Sequence, residues 1–248
     1  MTKSSTIKSI VPIFSGGIDS STMLWYLTSN DYEIKEVLTF QYGQSHQKEV
    51  EYSKNVVSEY SKKFYPIIQQ IVDIENIGSL ISKGSITGDQ STPHNMYDAK
   101  TQRVTIVPNR NMIFLSIAGG RAVTVGAKFV GYAAHASDYS VYPDCRPEFI
   151  EALDKAMYLG NLWDPVNIIA PFQNKSKTEI VKLGHELNVP YELTWSCYEG
   201  FNRPCLRCGT CIERSEAFYA NNLTDPALSK TEWIAAIQIL EKYSKSKN

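Results

Sequence analysis

The chain has 248 residues, 43% of them hydrophobic and 21% charged, which suits a globular protein with a buried core. Its net charge is -1 and its pI about 6.4, so no global positive field draws it to nucleic acid, and nucleic acid is not an expected partner. No run of about 18 apolar residues occurs and Met1 to Ser9 is polar, so a cytoplasmic protein without a membrane partner is expected.

Along the chain, apolar runs of strand length alternate with amphipathic helical stretches. Lys8 to Phe14 reads as a buried strand and Asp19 to Leu27 as a helix with Met23, Leu24 and Leu27 on one side. Ile34 to Phe40 is a second strand, Gln47 to Lys63 a second helix and Pro66 to Val72 a third strand. The span from Glu75 to Arg103 is polar, broken by Gly78, Gly84, Gly88 and Pro93, and has no clear period. A long unpatterned stretch in a compact domain suggests a mobile lid, a subunit contact or disorder.

Order resumes with a helix over Asn111 to Val125, a strand over Lys128 to Ala133, a helix over Pro147 to Leu159 and a strand over Val166 to Ala170. Ser176 with Glu179 spells a capping box that opens a helix to about Leu187, and Ser229 with Glu232 opens a last one. The alternation predicts an α/β fold: an open parallel sheet with helices on both faces. Residues after about Asn188 break the pattern, so the expected division is 1–187 for the main domain and 188–248 for a cysteine-centred appendage.

Ser15-Gly16-Gly17-Ile18-Asp19-Ser20 lies between the first strand and the first helix. Two adjacent glycines permit positive φ and close approach of a ligand. The N–H groups of Gly17 through Ser20 then open at a helix N-terminus, where an anion is favoured. The hydroxyls of Ser15, Ser20 and Ser21 add donors. Asp19 is out of place in an anion site unless a Mg²⁺ bridges it to phosphate. The loop is neither GxxxxGK[ST] nor GxGxxG, which argues against kinase-like and dinucleotide readings. The plain alternative is a tight strand-to-helix turn.

Cys197, Cys205, Cys208 and Cys211 crowd into fifteen positions with the spacing C-x₇-C-x₂-C-x₂-C. Four thiolates on short loops suit tetrahedral structural Zn²⁺, one per chain. The spacing differs from the ferredoxin run, and a redox pair for sulfur transfer is the rival use. Cys145 stands apart and reads as a small buried side chain rather than a nucleophile.

Strand-SGGxDS-helix resembles the PP-loop of the N-type ATP pyrophosphatases, which cleave ATP to AMP and pyrophosphate while adenylating a substrate. Further blocks narrow the resemblance: Phe40-Gln41-Tyr42-Gly43-Gln44 with His46, Val107-Pro108-Asn109-Arg110-Asn111, Tyr142 to Phe149, and Leu193 to Cys197 with the downstream cysteines. Together these resemble the 7-cyano-7-deazaguanine synthases over about residues 10 to 220. The resemblance implies an adenine nucleotide alpha hydrolase-like, Rossmann-like fold and an ATP-dependent carbon–nitrogen ligase. Its substrates would be 7-carboxy-7-deazaguanine, free ammonia and ATP, in a homodimer.

The resemblance also implies site residues. ATP would lie along Phe14, Ser15, Gly16, Gly17, Ile18, Asp19, Ser20, Ser21, Thr22, Met23 and Leu24; Lys177 resembles the family's lysine near the phosphates, with Lys175 the weaker candidate and solvation of a helix's first turn the plain alternative for both. Arg110 and Arg146 would serve the carboxylate and its adenylate, as arginine forks suit both groups, with surface ion pairs as the plain alternative. Tyr42, Gln44 and His46 are candidate substrate contacts, although Tyr42 and His46 could simply pack at a strand end. Asp138 or Asp144 could accept the ring hydrogens of a guanine-like base. Two rivals stay open: a tRNA sulfur-transfer enzyme with the same loop, and a relative that conjugates a deazaguanine to a protein. A non-enzymatic zinc module explains neither the loop nor the arginines.

Overall fold

A computed structural model describes residues 8–44, 48–88, 90–94, 102–199 and 201–245. Strand β1 (Lys8–Pro12) forms the centre of the sheet. It runs parallel to β2 (Tyr32–Ile34) on one side, with Ile10 opposite Ile34, and to β5 (Phe129–Gly131) on the other, with Val11 opposite Val130. Strand β3 (Glu36–Gln41) follows β2 after one residue, Lys35, whose N–H donates to the Ile10 carbonyl. Ile13 bridges to Leu38 in β3, so β2 and β3 succeed one another along the same side of β1. Outside them lie β4 (Ile68–Asp73), parallel to β3, and β6 (Asn167–Ile169), parallel to β5.

The parallel sheet predicted from alternating runs is therefore present, with one break and with strand ends shifted by one or two residues. The second expected strand is broken at Lys35, and the third begins at Ile68 rather than Pro66, because a proline nitrogen has no hydrogen to give to a ladder.

Helices cover both faces, as all-parallel sheets require. On one face, α1 (Ile18–Ser29), α2 (Lys48–Lys63), α6 (Lys177–Glu186) and α7 (Gly209–Ala220) bury Met23, Leu24, Trp25, Val56, Ile180 and Phe218 against Ile10 and Val37. On the other face, α4 (Arg110–Thr124) and α5 (Pro147–Gly160) pack Leu115, Ala118 and Ile150 against Val11, Leu38 and Val130. Met23 and Leu24 are fully buried, worth about 2–3 kcal/mol each in area removed from water. The helix α8 (Lys230–Lys245) closes the chain, with the Ser229–Glu232 cap formed on both sides.

Phe218 and Ala217 of α7 share one core with α1 and α6, so the segment after Asn188 packs directly onto the main sheet's helical layer. The described part of the unpatterned span is also packed. It carries a short helix, α3 (Glu75–Leu80), and buries Ile86 in the core with Phe40 and Phe114, while the Ser85 N–H donates to the Val104 carbonyl. Residues 75–88 are thus part of the body of the domain and not a free lid. No helix among the described residues is long and apolar enough to cross a membrane.

Candidate active site

The neighbours of β1 come from chain segments running in opposite directions along the sheet order: β3 on one side, β5 on the other. Open α/β sheets bind ligands at such a switch point, outside the carboxyl ends of the strands. A cavity of about 250 Å³ lies there. The segments leaving β1 (Phe14 to Ser20), β3 (Tyr42, Gln44) and β5 (Ala133 to Asp138) all line it, and Lys177, Trp195 and Glu213 close it from the α6–α7 side.

The loop Ser15–Ser20 turns at Gly16, whose φ is +86°. A Cβ there would come within 2.7 Å of the Ser53 backbone, so the position excludes any side chain on two counts. Gly17 caps α1 in extended conformation, and its N–H donates to Ser15 Oγ at 3.2 Å. The Ser20 hydroxyl accepts from the Ser15 N–H at 3.2 Å. Trp195 N–H donates to the Gly16 carbonyl at 3.1 Å, which fixes the turn from outside.

Asp19 stands in the first turn of α1 and meets Lys177, the first residue of α6: Nζ to Oδ2 is 2.6 Å. The Ser176–Glu179 capping box, predicted from sequence, sets the start of α6 and so places Lys177. Glu213 Oε2 lies 3.5 Å from the same ammonium, and His135 Nε2 lies 3.7 Å from Asp19 and 3.3 Å from Asp138. Burial alone would raise the Asp19 carboxyl, but the Lys177 ammonium and the His135 ring outweigh it and hold it below its ordinary 3.8. Lys177 is pushed up by Asp19 and Glu213 against the effect of burial. Burial raises Glu213.

Across the cavity, Arg110 is the first residue of α4, set by Asn109 in left-handed conformation. Its Nη1 donates to Tyr42 Oη at 3.3 Å, and its guanidinium lies 5.8 Å from that ring's centre. Burial opposes its charge, but Tyr42, Tyr142 and Asp144 together hold it well above its ordinary value, so it stays cationic. Phe40 and Phe114 stack at 4.1 Å on this side, both lining the cavity. Gln44 is buried and braces the turn after β3, accepting from Tyr42 N–H and donating to the Phe40 carbonyl. Cys145 lines the cavity with Asn111 and Tyr132 against its sulfur. Burial, with Asp138 nearby, pushes its thiol well up, so it is a poor nucleophile, as the sequence suggested.

Several sequence candidates fall elsewhere. Arg146 is exposed at the N-cap of α5, its Nε donating to the Tyr139 carbonyl at 2.8 Å, and it does not line the cavity. The capping position turns it outward. Asp144 sits behind the wall, accepting from the Asn111 N–H that starts α4. Met23 and Leu24 face the core and Thr22 bonds to Tyr191, so only the part of the Phe14–Leu24 stretch through Ser20 borders the cavity. Gly16 and Ser21 support it without lining it. His46 lies outside the described residues. Sequence reasoning missed His135 and Glu213; the first sits four residues past the end of β5, and the second two residues past Cys211.

The four cysteines come together, their sulfurs all within 4.8 Å of one another. Cys205 and Cys211 sulfurs are 4.0 Å apart, close to the edge of about 3.8 Å that a tetrahedron of 2.3 Å metal–sulfur bonds demands. The Cys205 and Cys208 amides donate to Cys197 and Cys205 sulfurs at 3.3 Å, the outer bonds that orient thiolate ligands. Hydrogen bonds from Cys197, Cys205 and Cys211 push the Cys208 thiol well below its ordinary value. The cluster can hold a metal ion. Cys208 also caps α7, Trp195 Nε1 donates to the Cys197 carbonyl, and Arg214 of α7 grips buried Asp225 by two bonds and Thr194 by a third. The cysteine centre, Trp195 and the Gly16 turn are thus one mechanical unit.

Residues 9–222 match the family model described as queuosine biosynthesis protein QueC. The chain belongs to the QueC family. It is 56% identical to the 7-cyano-7-deazaguanine synthase of Archaeoglobus fulgidus over 232 residues, 94% of this chain and 95% of that one. It is 42% identical to the enzyme of the same name from Marinobacter nauticus over 218 residues, covering 88% and 96%. Among solved structures, the NMN synthetase of Francisella tularensis has a similar fold, at 13% identity and a TM-score of 0.51 over 97% of this chain and 86% of that one. The QueC match therefore spans the sheet, the cavity and all four cysteines.

Proposed function

We propose that the chain converts 7-carboxy-7-deazaguanine and ammonia to 7-cyano-7-deazaguanine at the expense of ATP, through an amide. The observation that carries this reading is one cavity lined by an anion-cradling glycine loop and by a half-buried arginine whose neighbours keep it charged. The family match supplies the substrate, and favours synthesis over tRNA sulfur transfer or conjugation to a protein.

In this reading the substrate carboxylate, steered by Arg110, attacks the α-phosphorus of ATP. The bond to pyrophosphate breaks, and the leaving group is held by the amides of Ile18 to Ser20 and the Lys177 ammonium. Ammonia then adds to the acyl carbon; AMP departs with the former carboxylate oxygen, and a proton is lost to give the amide. The amide oxygen attacks a second ATP in the same way. Loss of AMP with that oxygen, and of the two nitrogen-bound protons, leaves the nitrile. The protein's share is mainly positioning and charge stabilisation. Tyr42, Gln44 and Asp138 supply polar contacts for the deazaguanine, and the Phe40–Phe114 stack a flat apolar wall.

Mg²⁺ fits the phosphate end. Asp19 Oδ1 is buried without a hydrogen-bond partner while Oδ2 holds Lys177, so one hard oxygen is left to meet a cation. Bound there, Mg²⁺ would offset charge on the phosphates. Zn²⁺ is the proposed ion of the cysteine centre, from the four sulfur donors and their near-tetrahedral spacing, with a structural role. The enzyme acts in this reading as a cytoplasmic homodimer using free ammonia, and light scattering at twice 27.9 kDa checks the dimer.

The adenylation half is tested alone by ATP–pyrophosphate exchange without ammonia. Exchange that depends on 7-carboxy-7-deazaguanine supports the reading; exchange with no such dependence refutes it.

A further inference from the structure

Lys177 is gripped by two carboxylates, Asp19 Oδ2 at 2.6 Å and Glu213 Oε2 at 3.5 Å. Each carboxylate uses one oxygen on the ammonium. The other oxygen of each, Asp19 Oδ1 and Glu213 Oε1, is buried and has no hydrogen-bond partner, and both residues line the cavity. Glu213 is 91% buried, taken from its 9% exposure, so water does not readily satisfy it. A buried carboxylate oxygen without a donor is costly, and two of them on residues that line one cavity call for a shared ligand.

The charges point to the sign of that ligand. Asp19, Asp138 and Glu213 place three carboxylates around this end of the cavity against the Lys177 ammonium and the His135 ring. A polyphosphate arriving there would meet net negative charge unless a cation came with it. Mg²⁺ and its relatives take oxygen donors, and typically use one or two protein carboxylates with the remaining positions filled by phosphate and water.

We infer that Glu213 is the second protein ligand, beside Asp19, of the divalent cation that accompanies the nucleotide. The inference deepens the ATP reading above and rests on the phosphates lying at Ser15 to Ser20. It also gives the cysteine centre a task. Glu213 lies in the first turns of α7, whose N-cap is Cys208 and which carries Cys211, so the metal knuckle sets where this carboxylate stands. In the alternative, Glu213 is only a counter-ion that orients Lys177, and the cation is held without it.

The test is Mn²⁺ binding to the intact, metal-loaded protein with a non-hydrolysable ATP analogue, followed by electron paramagnetic resonance. Glu213→Gln keeps the shape and removes the charge. It should weaken Mn²⁺ in the ternary complex by about tenfold or more, while binding of the analogue without added divalent cation is unchanged or tighter. Equal Mn²⁺ affinity in variant and parent overturns the inference. Should Glu213→Gln lose its native circular dichroism, Glu213→Asp keeps the charge but shortens the reach; it too should weaken Mn²⁺, and parental affinity would overturn the inference. A parent protein that binds neither analogue nor Mn²⁺ overturns the ATP reading instead.

Discussion

The Lys177 ammonium lies 2.6 Å from the Asp19 carboxylate, joining the first turns of two helices whose residues are 158 positions apart in the chain. The pair connects the glycine loop after β1 to the segment after β6, at the end of the cavity where the proposed reaction puts the phosphates. Both partners are expected to be needed for chemistry rather than for folding alone.

Replacing Asp19 with Ala should abolish AMP formation while the circular dichroism spectrum stays native. Lys177→Met should lower kcat by about 10²–10³, the usual cost of losing one charge-stabilising donor. Turnover near the parent level in either variant would show that the pair lies outside the reaction.

The pair also gives stability an acid limb. Asp19 is depressed in the folded protein, so the unfolded chain binds the proton first as pH falls. Its stabilising contribution is fully present above the ordinary 3.8 and is lost as pH drops through the lower folded value. Urea unfolding between about pH 5 and 2 should therefore show a steeper loss in the parent than in Asp19→Asn, which lacks this titration. Parallel curves would contradict the depressed carboxyl.

In the proposed reaction Arg110 serves the other substrate. Arg110→Ala should raise KM for 7-carboxy-7-deazaguanine by about tenfold to a hundredfold, the worth of a charge-assisted hydrogen bond, and leave ATP binding unchanged. An unchanged KM for the carboxylate with a weakened KM for ATP would reverse the polarity assigned to the cavity.

Metal analysis should find one zinc per chain, and Cys205→Ser should lower zinc content together with thermal stability. Because Trp195 links the Cys197 carbonyl to the Gly16 turn, the same variant should weaken nucleotide binding as well. Iron in place of zinc, with visible absorbance, would contradict the assignment.

Local chemistry made much of this legible. The capping box at Ser176, the glycine turn at Ser15 to Ser20 and the four cysteines carry their geometry within a few residues, so spacing alone reveals them. Arg110 stands out through the Val107 to Asn111 block and the family resemblance it carries. What the chain concealed depends on pairs distant in sequence. Nothing near Glu213 says that it meets Lys177, and Arg146 looked equivalent to Arg110 until its position at a helix cap turned it to the surface. The span from Glu75 looked unpatterned because its buried residues are single, such as Ile86, and follow no period.

The central claim is tested most directly by one complete reaction: protein, ATP, Mg²⁺, ammonium and 7-carboxy-7-deazaguanine, with nucleotides and base followed by mass spectrometry. Two AMP and two pyrophosphates per molecule of nitrile, with the amide as a transient, is the predicted result. Formation of ADP in place of AMP, or an unchanged base, would contradict it.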